Sequence, residues 1–355
     1  MQTNVMQNTK SNSFRANLPV IGVILGLAIF PFLVAIFDGQ SVADVFASEA
    51  GNAKFVQGLL IEIFILAVFA ISYDLVLGIT GLLSFGHAMF FGVGAYLTGI
   101  MLKSFGWGLL PTLGLVVLAG VVQALLFSVV LPRVQGLTFA LVTLGIAVVF
   151  HIVIRSRELG PYTGADVGLQ GVVPPDFLNA VNERFTFYLV ALIFMFAVYF
   201  LYRRFVDSPT GRVCIAIREN EARAKMLGYN TFYFKVTALT VSSITAALAG
   251  ALHALFQPIV SPDVASLAFT ISALLMILIG GVGTLSGALL GAGIFKLLTY
   301  GLDKFFGENA TFVIGLVYIG IVLFLPYGIV GTWNLKTLEI QKGREWLVKM
   351  VGGGK

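Results

Sequence analysis

The sequence is dominated by apolar runs that reach or approach the length needed to cross a lipid bilayer. Ten such runs occupy residues 19–37, 57–77, 86–102, 110–131, 136–154, 186–202, 236–257, 267–282, 287–300 and 311–327. A helix needs about 20 mainly apolar residues to span the hydrocarbon core, where every backbone polar group must be bonded internally. The chain is therefore predicted to be an all-α polytopic membrane protein with about ten transmembrane helices. Eight or nine crossings are the alternatives, because several runs are short.

Composition supports this fold class. A mean hydropathy of +0.96 and only 11% charged residues exclude a globular domain with a solvated surface.

The first run follows Lys10 and Arg15 and so invites interpretation as a signal peptide. It is longer than the apolar core of about 7–15 residues that such peptides carry, so a retained anchor is predicted.

The distribution of basic residues predicts the orientation of the helices, because Lys and Arg in short loops favour the cytoplasmic side. Cationic side chains place the N-terminus, the 132–135 connection, the 203–235 loop and the C-terminal tail on that side. They are Lys10, Arg15, Arg133, Arg203, Arg204, Arg212, Arg218, Arg223, Lys225, Lys235, Lys336, Lys342, Arg344 and Lys349. Segments 38–54 and 155–184 mix both signs and are predicted to lie outside. The net charge of +5 thus reflects the orientation of the helices and attraction to anionic lipid headgroups, and does not indicate nucleic-acid binding.

Five predicted crossings on either side of segment 155–184 are compatible with an inverted five-plus-five arrangement, which is common among transporters. The only internal echo is local: GITGLLS at residues 78–84 resembles GGVGTLS at 280–286. Chance similarity in glycine-rich membrane sequence explains this echo equally well.

One polar stretch, SPTGRVCIAIRENEARAKMLGYN at residues 208–230, interrupts the apolar sequence. Ser208 with Pro209 predicts a helix start, and Gly228 predicts its end. Treated as one unbroken helix, it has a broad apolar face and a smaller one opposite. The broad face comprises Val213, Ala216, Ile217, Ala224 and Leu227, and the smaller comprises Ile215, Ala222 and Met226. The pattern predicts either a helix with two contacts, one of them on a soluble partner, or a solvated connector.

The sequence carries little other chemistry. His87, His151 and His253 are the only histidines and have no metal-ligand spacing, so no metal site is predicted. A single cysteine, Cys214, excludes a disulfide within the chain. Few charges fall inside the apolar runs, which argues against an ion-coupled relay and so against a secondary transporter or channel. A membrane enzyme lacks a clustered set of acid, base or metal-binding residues.

The polar stretch and three other segments carry a family resemblance. They are SYDLVLGITGLLSFGHAMFFGVGAYLTG at 72–99, ILIGGVGTLSGALLGA at 277–292 and LFLPYGIVG at 323–331. Together they resemble the inner-membrane permeases of branched-chain amino acid ABC importers, in particular the longer of the two paired permeases. The likeness extends from about the second crossing onward. The sequence itself has no GxxxxGK[ST] phosphate-binding loop.

The resemblance implies a cytoplasmic N-terminal segment at 1–18, a permease domain at 19–331 with a coupling loop at 206–235, and a cytoplasmic tail at 332–355. It also implies a bacterial inner-membrane location and four kinds of partner: a homologous second permease, two ATP-binding subunits, an external substrate-binding protein and membrane lipid. ATP and Mg²⁺ would act in the ATP-binding subunits, and this chain would be a non-enzymatic transport subunit without a cofactor of its own. Urea or short amides are the alternative substrates to branched-chain amino acids.

Two groups of site residues follow. The residues expected to couple to the ATP-binding subunits are Gly211, Arg212, Ala216, Arg218, Glu219, Asn220, Glu221, Ala222, Met226, Leu227 and Gly228. A path for a small zwitterion needs hydroxyl groups and exposed backbone where helices break. Ser84, His87, Ser272, Thr284 and Ser286 are the residues predicted near that path. Tight helix packing is the alternative role for the small residues around them.

Overall fold

The computed structural model describes residues 22–39, 45, 51–325 and 327–333. Eleven helices account for most of this part of the chain. They are α1 (Gly22–Phe37), α2 (Gly51–Asp74), α3 (His87–Ser104), α4 (Leu109–Ser128), α5 (Leu137–Ile154), α6 (Arg184–Asp207), α7 (Pro209–Met226), α8 (Thr231–Phe256), α9 (Leu267–Gly280), α10 (Ser286–Phe306) and α11 (Ala310–Phe324). Residues 328–333 are also helical. The predicted 1–18 segment and the tail from residue 334 lie outside the described residues.

The remaining elements are short. A π-helical turn, Leu75–Ile79, continues α2, and single helical turns occupy Gly160–Thr163, Ala165–Val167, Asp176–Leu178, Pro262–Ala265 and Gly307–Asn309. Strands β1 (Leu169–Gln170) and β2 (Ile259–Val260) pair antiparallel, with Leu169 opposite Val260.

The predicted fold class is confirmed. Each of the ten apolar runs coincides with a helix, and among the described residues six segments are long and apolar enough to cross a membrane. These are Gly51–Ile79, Leu109–Ser128, Leu137–Ile154, Arg184–Asp207, Thr231–Phe256 and Phe312–Trp333. The other four predicted crossings correspond to α1, α3, α9 and α10, which are shorter or less apolar.

The chain divides into two compact units. The smaller unit contains α1, the first half of α2 and the first half of α6. Its core is formed by Ala35, Val45 and Ala53, and the rings of Phe32 and Phe185 meet edge to face at 5.1 Å. These contacts give α1 an apolar packing surface within the unit.

The larger unit is organised around α8, which packs against α3 and α4. Gly94 of α3 lies directly against the backbone of Ala247, and Gly250 of α8 lies against the backbone of Phe91. Ser243 adds a hydrogen bond from its hydroxyl to the Gly120 carbonyl of α4, at 2.8 Å. Small residues therefore bring these backbones together, as is common between membrane helices. Beyond α8, α9 packs on α10 and α10 packs on α11.

The close α3–α8 approach predicts the effect of a single added methyl group. Gly94→Ala places a Cβ against the Ala247 backbone, which has no flexible side chain to move aside. We expect a loss of about 1–3 kcal/mol in stability, seen as a lower midpoint of thermal unfolding in detergent. Gly145→Ala is the matched control, since Gly145 occupies the middle of an equally long helix and its added Cβ meets nothing within 4 Å. Equal midpoints for the two variants would contradict this account of the packing.

Candidate functional site

The polar stretch forms α7, and its start is capped as the sequence predicts. The backbone N–H of Gly211 donates to the Ser208 hydroxyl at 3.2 Å, and Pro209 occupies the first helical turn. This bond satisfies one of the amides that a helix N-terminus leaves without an intrahelical partner.

The prediction of one unbroken helix is wrong, because Asn220 has extended backbone angles of φ −161° and ψ 97°. Its side-chain oxygen accepts the N–H of Arg223 at 2.9 Å, so Asn220 caps a second short helical segment. An Asn side chain competes for backbone donors in this way, which is why it interrupts helices.

The kink changes which residues are buried. The buried positions are Gly211, Cys214, Ile217 and Ala224. Two residues assigned to the packed face, Ala216 and Leu227, are exposed, and the Leu227 side chain is 72% exposed. The projected broad face is therefore corrected to a narrower one: Leu227 follows the kink and leaves the helical phase, whereas Ala216 lies before the kink and faces outward.

An exposed apolar surface lies after the kink. It consists of Ala222, Met226 and Leu227, and Met226 is 81% exposed. We call these three residues the distal patch. Its position supports the smaller apolar face that the sequence placed on Ala222 and Met226, whereas Ile215 is half-buried and lies outside it.

Glu221 anchors the segment after the kink to the start of α8. Its carboxylate accepts from the Lys235 ammonium at 2.7 Å and from the Thr231 hydroxyl at 2.9 Å, and Lys225 lies at 3.2 Å. Burial alone would raise the pKa of Glu221. The hydrogen bonds from Lys235 and Thr231, the charge of Lys235 and the bond from Lys225 outweigh it, so the pKa is lowered from its ordinary value of 4.5.

Arg218 anchors the segment before the kink. Its guanidinium donates to the Gly78 carbonyl in the π-helical turn after α2. The backbone and side-chain stem of Arg218 also lie against Gly81, where an added Cβ would come within 3.1 Å of three Arg218 carbons. Gly81 has φ +78° as well, a conformation that favours glycine.

Asp74 connects the end of α2 to the segment between α9 and α10. Its carboxylate is fully buried and accepts the N–H of Gly283 at 2.6 Å and the N–H of Leu285 at 3.1 Å. Asp74 is one of the few charges inside the apolar runs, and the sequence did not predict this role for it. The available signal was the echo between residues 78–84 and 280–286, since these two segments meet here.

The residues predicted near a path fall into two places. Ser84 and His87 are both fully buried at the start of α3, where the Ser72 hydroxyl and His87 Nε2 are 2.9 Å apart. Rings of Phe69, Tyr73 and Phe90 surround His87. The structure thus brings Ser84 and His87 into the packed interior of the larger unit.

The other three residues predicted near the path each donate to a nearby backbone carbonyl. Ser272 donates to Ala268 in α9, whereas Thr284 and Ser286 donate to Gly281 and Thr284 in the turn before α10. All five assignments stay predictions. Among the described residues, no three His, Cys, Asp or Glu side chains form a metal-binding group.

The lone thiol is not a usable accessibility probe. Cys214 is fully buried and its thiol donates to the Phe234 carbonyl at 3.7 Å. Burial raises its pKa to about 11, so little of the reactive thiolate is present near neutral pH. Weak labelling of Cys214 would therefore report burial rather than the side of the membrane.

This helical architecture, with a kinked polar helix fixed to the ends of its neighbours, is that of a polytopic membrane protein. Residues 55–324 match the family described as the branched-chain amino acid transport system / permease component, and the chain belongs to that family.

Three curated relatives illustrate the likeness. The Escherichia coli (strain K12) high-affinity branched-chain amino acid transport system permease protein LivM is 27% identical over 84% of this chain and 74% of the relative. The Salmonella typhimurium LivM protein is 26% identical over 74% and 67%, respectively. The LivH permease of the same Salmonella strain is 24% identical over 75% and 91%. No solved structure is significantly similar to the chain.

The Glu221 anchor predicts a pH-dependent local stability. Because the folded-state pKa of Glu221 is lowered, its stabilisation is present above the unfolded pKa and is lost as pH falls through the folded pKa. Glu221→Gln should lower hydrogen-exchange protection of residues 221–230 at neutral pH by about fivefold, or about 1 kcal/mol. This difference from the unmodified chain should vanish once acid protonates Glu221. Glu219→Gln, at an exposed position, is the control, and equal effects of the two variants would contradict the anchor.

Proposed function

We propose that this chain is a transmembrane permease subunit of an ABC importer for branched-chain amino acids, driven by separate ATP-binding subunits. The observation that carries the proposal is the distal patch, which projects from a helix whose two halves are fixed to α2 and α8 by Arg218 and Glu221. An exposed apolar patch on a firmly held helix is suited to docking in a groove of a soluble protein. That partner would bind and hydrolyse ATP with Mg²⁺, and this chain would contribute no catalytic group.

The permease would pair with a homologous second permease. Proteins named LivM and LivH occur in one Salmonella strain, and both are similar to this chain. Helices α4 and α5 also expose apolar side chains, with Leu118, Val122 and Ile152 each more than half exposed. These surfaces suit lipid or a second membrane subunit. One copy of each permease, two ATP-binding subunits and an external binding protein would complete the importer.

The proposed orientation places both termini and α7 on the cytoplasmic side of the bacterial inner membrane. It is supported by one cleft of about 380 Å³, which Leu131, Pro132 and Gln135 line together with Glu221 and Lys235. The 132–135 connection and the 203–235 loop, which the basic residues assign to the same side of the membrane, therefore lie next to each other. Such agreement favours a common side for Arg133 and the α7 cations.

Accessibility of engineered thiols tests this orientation. In a Cys214→Ser background, Met226→Cys should resist a membrane-impermeant maleimide in intact cells and react after permeabilisation. Val167→Cys is the matched control, because Val167 is 69% exposed and lies in segment 155–184, predicted outside. It should react in intact cells. The reverse result for the two thiols would overturn the orientation.

ATP-driven uptake tests the function. In proteoliposomes with the second permease, the ATP-binding subunits and the binding protein, labelled leucine should accumulate and labelled urea should not. Met226→Glu or Ala222→Glu should reduce uptake and recovery of the ATP-binding subunits more than tenfold, because burying an unpaired carboxylate costs several kcal/mol. Met226→Leu should behave as the unmodified chain.

Three results would count against the proposal. Normal uptake and complex recovery in both Glu variants would remove the distal patch from the ATPase interface. Preferential urea uptake would reassign the substrate. Ion-driven flux through the chain alone would establish a secondary transporter.

A further inference from the structure

The two glycine-rich segments that echo each other in sequence are in direct contact. Gly78 of the first segment lies against Gly283 of the second, and an added Cβ at Gly78 would also collide with the Asp74 carboxylate. Asp74 bonds to the N–H groups of Gly283 and Leu285 across this contact. The end of α2 and the segment between α9 and α10 are therefore joined through one buried side chain.

The segment between α9 and α10 has an unfavourable backbone. Leu285 has φ +44° and ψ −58°, and its side chain is buried. A positive φ is uncommon for any residue with a Cβ and is maintained only where surrounding contacts impose it. The Asp74 bond to the Leu285 N–H is such a contact, so the shape of this segment depends on the carboxylate.

Arg218 places α7 at the same contact. Its guanidinium bonds to Gly78, and an added Cβ at Gly283 would lie only 2.7 Å from the Arg218 Nη1 atom. One side chain of α7 therefore touches both glycine-rich segments. A displacement of α7 should change both contacts, because the Arg218 backbone and stem pack directly against Gly81 and leave the side chain little room to adjust.

We propose that these residues form a transmission joint, in which Arg218 links α7 to the α2 end and Asp74 passes its displacement to the turn before α10. The joint comprises Asp74, Gly78, Gly81, Arg218, Gly283 and Leu285. Asp74 and Arg218 are positioning residues within it. The inference rests on the proposed function, in which an ATP-binding subunit moves α7. The movement of α7 would then reach the strained backbone of Leu285 through Arg218 and Asp74.

The geometry of its hydrogen bonds makes Asp74 suited to this role. Its two carboxyl oxygens accept one backbone N–H each, from Gly283 at 2.6 Å and from Leu285 at 3.1 Å. The π-helical turn Leu75–Ile79 directly follows Asp74, and such turns mark places where helix pitch changes. A movement at Gly78 would therefore act on the short contact between Asp74 and Gly283, beside the π-helical turn that ends α2.

The test measures substrate transported per ATP hydrolysed by the complete complex in proteoliposomes. Arg218→Lys keeps the charge but loses the planar fork that reaches Gly78 and Gly283. Asp74→Asn keeps the shape but replaces one acceptor oxygen with a donor. Both variants should retain the ATP-binding subunits and hydrolyse ATP, while the transport-to-hydrolysis ratio falls at least tenfold. Arg204→Lys, an exposed position at the end of α6, is the matched control and should keep the ratio.

A second substitution distinguishes positioning from simple support. Glycine adopts a positive φ without strain, so Leu285→Gly should make the turn less dependent on Asp74. The ratio should fall less when Asp74→Asn is added to Leu285→Gly than when it is added to the unmodified chain. Equal falls in both backgrounds would overturn the role assigned to Leu285 strain.

Failure of the joint and failure of the proposed function give different results. An unchanged ratio in Arg218→Lys, with the unmodified complex driven by ATP, overturns the joint and leaves the importer function standing. A proportional loss of transport and hydrolysis in both variants also overturns it, because a merely structural role lowers the amount of working complex. An unmodified complex that shows no ATP-driven uptake overturns the importer function and the joint together.

Discussion

The buried carboxylate of Asp74 solves a problem that any interrupted membrane helix creates. Between α9 and α10 the backbone leaves helical geometry, and its amides cannot bond within a helix. An unsatisfied amide is costly in a membrane protein interior, where no water replaces the lost partner. Asp74 supplies two acceptor oxygens from the end of α2. The break before α10, the close approach of Gly78 and the Arg218 contact all meet at this one carboxylate.

The larger unit combines close glycine packing with localised polar contacts. Gly94 and Gly250 bring α3 and α8 into backbone contact, while the Ser242 hydroxyl bonds to the Ser72 carbonyl at 2.6 Å. Ser72 in turn meets His87 at 2.9 Å. These buried polar groups tie α2, α3 and α8 together without exposing polar atoms to an apolar surface. The kinked α7 is attached to this group of helices mainly on either side of its kink, through Arg218 and Glu221.

The sequence determined the architecture more fully than the site. Apolar runs identified ten of the eleven described helices, because the bilayer itself sets the length that a crossing needs. The interruption of α7 was missed, since periodicity assumes one helical phase and Asn220 satisfies Arg223 through a local bond instead. Asp74 was missed for another reason. Its partners, Gly283 and Leu285, lie more than two hundred positions away and contribute backbone atoms, which leave no residue-type signature.

The kink at Asn220 gives the two halves of α7 different mechanical connections. Before it, the Arg218 guanidinium bonds to the Gly78 carbonyl at the α2 end and lies against Gly283 in the turn before α10. After it, Glu221 contacts Lys235 and Thr231 through flexible side chains at the start of α8. The Arg218 backbone also packs directly against Gly81, and such a close contact transmits a displacement, whereas the side chains of Glu221 and Lys235 can absorb part of it. On the proposed function, a partner seated on the distal patch would therefore use the Glu221 contact as a pivot. The first half of α7 would then carry the larger share of the movement toward Asp74.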